Sequence, residues 1–185
     1  MLIVEGPDGA GKTTLVSSLC THLELEVRPR SSTSDHGPVG DIGDWIDRDF
    51  TTNTHVGIYD RHPLISETIY GPLIRASQSD LLGMGPVEDL FEMLYSTSPL
   101  VIIYCLPPVA AVRVNVGQTH EGTTDHLRGV LKFTDQLYDL YSYRYLMDAA
   151  RGVAIKWDYT DLDDGRNFEK LKTQVKGCAK KGRVW

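Results

Sequence analysis

The sequence predicts an α/β fold of three layers, with helices on both faces of a central, parallel, five-stranded sheet. Three observations predict it. Strands and helices alternate along the chain, the pattern of βαβ units. Leu100 to Leu106 (LVIIYCL) is apolar throughout, as a central strand covered on both faces should be. The first strand, Leu2-Ile3-Val4, runs directly into Gly6-Pro-Asp-Gly-Ala-Gly11-Lys12-Thr13, which satisfies G-x-x-x-x-G-K-[ST] at every fixed position.

That third stretch carries chemistry as well as architecture. A phosphate chain needs several donors converging on it, and a glycine-rich turn turns its backbone N–H groups inward at close range. The helix that follows adds the positive end of its dipole. Lys12 would reach the β- and γ-phosphates, and the Thr13 hydroxyl would ligate Mg²⁺. The expected nucleotide-binding residues are therefore Gly6, Asp8, Gly9, Ala10, Gly11, Lys12, Thr13 and Thr14. A glycine-rich turn that binds nothing is the competing reading. Eight residues in the right order, between a strand and a helix, argue against it.

Length and composition set limits around this motif. The chain has 185 residues, enough for one domain with a substantial core. Its net charge of −6 gives no global attraction to nucleic acid or an anionic membrane. Cys20, Cys105 and Cys178 are far apart and form no C-x-x-C pair, so they read as thiols in a reducing compartment. The longest apolar run is too short to cross a bilayer, and the first strand starts at once, without a leader. The expectation is a cytoplasmic protein.

The elements follow in order. Thr13 to Leu23 is the helix after the phosphate loop, with Leu15, Val16, Leu19 and Leu23 spaced for one buried face. Glu24 to Val27 is a short strand that delivers Arg28-Pro29-Arg30 to its C-terminal end, where such sheets place ligands. Ser31 to Gly43 is loop, and Asp44 caps a short helix carrying Arg48. Thr54 to Tyr59 is the next strand, followed by Asp60-Arg61-His62-Pro63. Leu64 to Ala76 is helical with a break at Gly71-Pro72, and Val87 to Tyr95 is an amphipathic helix. After the central strand come a helix from Val109 to Val116 and a mobile lid at about 117–125 (GQTHEGTTD). His126 to Ala150 reads as a long helix, Val153 to Trp157 as the last strand, and Phe168 to Cys178 as the last helix. No repeat or linker divides residues 1–185.

The rest of the chain narrows the class of phosphate-loop protein. There is no N-K-x-D tetrapeptide to read guanine, and no apolar run ending in Asp-Glu as in motor ATPases. Instead a strand ends in Asp60-Arg61: a carboxylate able to hold Mg²⁺ beside a guanidinium able to fork onto phosphate. The chain resembles the thymidylate kinase family of nucleoside-monophosphate kinases. The resemblance rests on E-G-P-D-G-A-G-K-T-T at Glu5 to Thr14 and Y-D-R-H-x-x-x-S at Tyr59 to Ser66. Arg28-Pro29 and Y-C-L-P-P-x-x-x-x-R at Tyr104 to Arg113 add to it.

The resemblance implies a phosphate-loop kinase fold, with ATP and Mg²⁺ as cofactors and a pyrimidine deoxynucleoside monophosphate as acceptor. Lys12, Asp60 and Arg61 would be catalytic, Thr13 and Asp60 the metal ligands. Asp8, Arg28, Arg48, Arg61, Tyr70 and Arg75 would form the acceptor side. Dimers are common in that family, so a homodimer is among the assemblies it allows. The departures lie on the acceptor side and in the lid. Gly9-Ala10 stands where some members carry a loop arginine, and the lid stretch has neither Arg nor Lys. Arg113, Arg128 and Arg144 are the substitutes within reach in sequence. The family's A-Y-Q is Ile69-Tyr70-Gly71 here, and the stretch between Arg30 and Tyr59 is short.

A reduced acceptor side leaves a second reading open. The family includes phage members that phosphorylate 5-hydroxymethyluracil already in DNA; such a protein would work in the host cytoplasm. The acidic balance and the lack of a basic, aromatic stripe weigh against DNA. A third reading is a nucleotide-binding switch without transfer activity. His62 reads as a turn residue before Pro63, and His120 and His126 as solvated lid residues. Tyr138, Tyr141, Tyr143 and Tyr145 read as packing along one helix.

Overall fold

A computed structural model describes residues 1–30, 32–33, 37–38, 44–45, 48, 57–75, 100–120, 125–161 and 165–178 of the chain. Strand β1 (Leu2–Glu5) lies at the centre, with every residue buried, and passes through the phosphate loop into helix α1 (Lys12–Leu23). Ser32–Thr33 (β2) and Gly37–Pro38 (β3) pair antiparallel as a small separate ladder. Strand β4 (Ile58–Asp60) leads to helix α2 (Pro63–Tyr70), which widens into a π-helical turn at Gly71–Arg75. Strand β5 (Val101–Cys105), helix α3 (Val109–His120), helix α4 (Asp125–Ala150), strand β6 (Ala154–Trp157) and helix α5 (Arg166–Cys178) complete the chain.

The main sheet is parallel, in the order β4-β1-β5-β6, with Val4 level with both Asp60 and Ile103. It has four strands where the sequence predicts five. The segment Glu24–Val27 contributes only a single bridge, Val27 to Ile58, closed by Arg28 N–H donating to Ile58 O (2.8 Å) and Ile58 N–H to Glu26 O (2.9 Å). Glu24 ends α1 in a left-handed conformation (φ 56°), so the chain is still turning where the strand was expected to begin.

Apolar burial accounts for the layers. Leu2, Ile3, Val4, Ile58, Ile102 and Ile103 are fully inaccessible, and Leu15, Val16 and Leu19 of α1 cover one face of the sheet. The long helix α4 covers sheet surface with Val130, Leu137 and Tyr141, while Leu131 and Leu140 are exposed, as is Tyr143, which the sequence reads as packing. The buried stripe Leu127, Val130, Thr134, Leu137 and Tyr141 keeps one face across a kink at Phe133 (φ −109°, ψ 15°), beside which Thr134 Oγ1 donates back to Val130 O at 2.8 Å. Helix α3 continues to His120, taking the first part of the expected lid into its last turn. Residues 121–124, the expected helix Val87–Tyr95 and most of the 31–56 stretch lie outside the described residues. Among the described residues no helix is long and apolar enough to cross a membrane.

Candidate active site

The phosphate loop sits where β1 ends, and its glycines pack where a side chain would collide. A Cβ on Gly6 (φ 142°) would stand 2.5 Å from the Cys105 carbonyl oxygen. A Cβ on Gly9 (φ 75°) would stand 2.8 Å from Val116 Cγ2 and 2.9 Å from Val112 O, both on α3. The Gly9 position, where the sequence resemblance would allow a loop arginine, is therefore closed by packing as well as by backbone conformation. Gly11 is the N-cap of α1 with no side chain capping it, which leaves the first-turn N–H groups to an anion. Lys12 is buried, and its Nζ donates to Pro7 O at 2.7 Å and lies 3.9 Å from Asp8 Oδ1. Burial, followed by repulsion from Arg61, pulls its ammonium down to about 8, against the pull of Asp8 and Asp60.

Strand β4 brings Asp60 to the same point. Thr13 Oγ1 donates to Asp60 Oδ2 at 3.5 Å, and Asp60 is 4% exposed. A hydroxyl and a carboxylate, side by side at the helix N-terminus, are hard oxygen donors. They fit Mg²⁺, a cation held by one or two protein oxygens with phosphates and water completing its shell. The cation that reaches this pair is Arg30, whose Nη2 bonds Asp60 Oδ2 and lies 3.4 Å from Thr13 Oγ1. Arg28, the residue singled out in the sequence, stops one level lower. Its backbone is still bridged to Ile58, and its guanidinium stands 6.0 Å from the Tyr59 ring.

Arg61 builds the other wall. It adopts φ 75°, its N–H donating to Val4 O at 3.0 Å. The turn is completed by His62, whose N–H donates to Glu5 Oε1 (2.6 Å) and whose ring accepts from Leu64 N–H (3.3 Å) to cap α2 ahead of Pro63. His62 thus fixes the turn, as its place before proline suggests. The Arg61 guanidinium donates to Asp8 Oδ1 (2.5 Å), Tyr70 OH (3.1 Å) and Tyr141 OH (2.8 Å). Tyr70 OH in turn donates to Asp8 Oδ2 (3.2 Å), and Tyr141 OH to Glu5 Oε2 (3.1 Å). Burial opposes the charge on Arg61, but Tyr70, Tyr141, Asp8 and Glu5 together hold its pKa well above the usual value. Burial pushes the Glu5 carboxyl up to about 7, against the pull of Arg61, the His62 N–H, Lys12 and Tyr141.

Beyond the loop lies a cavity of about 410 Å³, lined by Gly11, Thr14, Asn115, Trp157, Tyr159 and Phe168 among others. Asn115 Nδ2 donates to Gly9 O (2.8 Å) and to Tyr159 OH (2.7 Å), which ties the loop crest to the segment after β6. An aromatic-walled cavity beside a phosphate loop suits a nucleobase.

Several expected site residues stand elsewhere. Arg48 Nε donates to Asp44 O within its own helical turn (3.1 Å), and the side chain of Arg75 lies outside the described residues. Arg113 grips Asp135 with two bonds (2.7 and 2.6 Å), Arg128 pairs with Asp125 (3.1 Å) and Arg144 with Asp148 (3.1 Å). His126 stacks on Tyr70, ring centroids 6.3 Å apart. The described residues contain no group of three or more His, Cys, Asp or Glu able to hold a metal ion. Glu5, Arg30, Tyr141 and Asn115 were not among the sequence candidates. Glu5 carried a signal as an acid closing a wholly apolar strand, and Arg30 as part of the Arg28-Pro29-Arg30 segment at the ligand end of the sheet.

Neither a protein-family model nor a curated protein matches the chain by sequence. In three dimensions it is similar to deoxyadenosine kinase from M. mycoides with bound dCTP, at 14% identity and TM-score 0.58, covering 96% of this chain and 100% of that one. The same enzyme with dCMP and dCDP bound gives 13% identity and TM-score 0.61, over 95% of this chain and 98% of that one. The YorR protein from Bacillus subtilis, in complex with phosphorylated GDP, gives 18% identity and TM-score 0.55 over 95% of each chain. At such identities the likeness is one of architecture: the chain has the phosphate-loop α/β fold found in nucleoside kinases.

Proposed function

We propose that the protein is an ATP- and Mg²⁺-dependent phosphotransferase, thymidylate-kinase-like, that moves the γ-phosphate of ATP to a pyrimidine deoxynucleoside monophosphate. One observation carries the reading: Thr13 and Asp60 converge to 3.5 Å beside a buried Lys12 at a helix N-terminus. Phosphoryl transfer asks a protein mainly for charge neutralisation and alignment, and these groups supply both. Lys12 leaves the Pro7 carbonyl for the transferring phosphoryl oxygens. Thr13 and Asp60 would hold Mg²⁺, which neutralises charge on the phosphates when bound. The aromatic cavity takes the donor base. Asp8, Tyr70 and Arg61 hold the acceptor from the other side, with Arg30 as the second cation.

A hydroxyl acceptor, either a deoxynucleoside or 5-hydroxymethyluracil in DNA, is the second reading. It is favoured by the engagement of Arg61, which is already bonded to Asp8, Tyr70 and Tyr141 and has little exposed surface for an acceptor phosphate. The test is transfer of labelled γ-phosphate from ATP to three acceptor sets: free deoxynucleoside monophosphates, free deoxynucleosides, and DNA containing thymine or 5-hydroxymethyluracil. Label on a monophosphate supports the first reading, and label on a nucleoside or on modified DNA replaces it with the second. Label on none, with ATP binding intact, refutes both in favour of a nucleotide-binding switch.

A further inference from the structure

Arg61 is held from behind as well as from the front. In front are Asp8 of the phosphate loop and Tyr70 of α2. Behind is Tyr141, 80 positions away on α4, whose hydroxyl accepts from Arg61 Nη1 at 2.8 Å and donates to Glu5 Oε2 at 3.1 Å. The other oxygen of Glu5 accepts the His62 N–H at 2.6 Å, in the turn that gives Arg61 its left-handed backbone. Glu5 and Tyr141 are both fully buried. One carboxylate therefore constrains Arg61 twice, through the backbone that launches it and through the hydroxyl that anchors its far end.

A buried glutamate is an expensive way to brace a turn. Replacing it and its partner by apolar groups of similar shape would remove a desolvation cost, so stability alone does not account for the pair. Its geometry does more. The three bonds from Arg61 use three of the five N–H donors of a guanidinium, so the anchoring does not exhaust its donors. A long side chain anchored in this way loses less rotamer freedom when it meets an anion or hydroxyl, because the loss is taken on folding. Anchoring by a tyrosine and a glutamate also leaves the guanidinium fully charged.

We propose that Glu5 and Tyr141 are positioning residues that act through Arg61, presenting its guanidinium to the acceptor in a fixed orientation. The proposal rests on the reading of Arg61 as an acceptor-side group. Tyr141→Phe is the first test, because it removes the anchoring oxygen and keeps the ring. With whichever acceptor the protein uses, it should raise the acceptor KM by about tenfold, the scale of one lost hydrogen bond to a charged group, and leave the ATP KM within about twofold. Glu5→Gln should move the same constant in the same direction. In an Arg61→Ala background, Tyr141→Phe should add less than about twofold, because the group it acts through is gone. An unchanged acceptor KM, equal effects on both substrates, or effects that multiply in the double variant would overturn the proposal.

A second readout does not depend on activity. Side-chain ¹⁵N spectra of the wild-type protein should show restricted guanidinium signals for Arg61, assigned by their loss in Arg61→Lys, that broaden or collapse in Tyr141→Phe while the backbone spectrum shows the fold retained. If the wild type transfers phosphate to nothing, the functional reading fails, and this spectrum alone decides whether Tyr141 anchors Arg61. Arg61 signals unchanged in Tyr141→Phe would refute the anchoring.

Discussion

Thr13 Oγ1 and Asp60 Oδ2 stand 3.5 Å apart although 47 positions separate them in the chain. Two parallel strands make this happen. Asp60 is level with Val4 in the β1–β4 ladder, so the residue that ends β4 meets the start of the helix that follows β1. Replacing Asp60 by Asn keeps the shape and removes the charge. The Mg²⁺ concentration for half-maximal transfer should rise by about tenfold or more, measured by titrating Mg²⁺ at saturating ATP.

Lys12→Ala should lower transfer by roughly 10²–10³-fold, the scale of one lost charge-stabilising donor in a preorganised site. The ammonium is buried against the Pro7 carbonyl. Far-ultraviolet circular dichroism should show the fold retained. A folded variant with wild-type transfer would remove Lys12 from the mechanism.

Gly9→Ala should destabilise the protein by about 1–3 kcal/mol, because its Cβ meets α3 at 2.8 Å in a backbone conformation that L-residues avoid. Urea titration reads this directly. An Arg at the same position should do worse, so introducing a loop arginine there should lower transfer rather than raise it.

The pH dependence of stability should carry the signature of Glu5. Its neighbours are Arg61, Lys12, the His62 N–H and Tyr141, with the Tyr104 and Cys105 groups close enough to feel its charge. Its folded pKa, about 7, lies above the ordinary value of 4.5. The folded state therefore binds the proton more tightly, and Glu5 favours the fold most at low pH. That contribution is lost as pH rises through about 7. The melting temperature of Glu5→Gln, relative to wild type, should climb between about pH 4.5 and 7 and then level off. A flat difference would mean that Glu5 is not shifted.

Tyr159→Ala should weaken ATP binding by about tenfold, because it opens the cavity beside Gly11 and removes a partner of Asn115. Calorimetry with a non-hydrolysable ATP analogue measures it. Equal affinity would place the donor base elsewhere.

How much of this was legible beforehand follows from the range of the forces involved. The phosphate loop is a local device. Its glycines, lysine and threonine lie within eight consecutive residues, and their spacing dictates their geometry. The Asp60-Arg61-His62-Pro63 turn is local too, and its histidine caps α2 as its position suggests. Edge structure was less legible. Glu24–Val27 alternates like a strand, but a single bridge at Val27 is all the sheet accepts.

The sequence by itself determined the alternation of strands and helices, the buried apolar runs and the phosphate loop, because each depends on neighbours within a few residues. The tertiary structure decided which arginine meets Asp60 and what holds Arg61. Arg30 rather than Arg28 meets Asp60, since the bridge at Ile58 stops Arg28 one level short. Tyr141 and Glu5 meet across 136 positions. No local pattern encodes such a meeting, because it depends on the order of the strands and on how α4 packs across them.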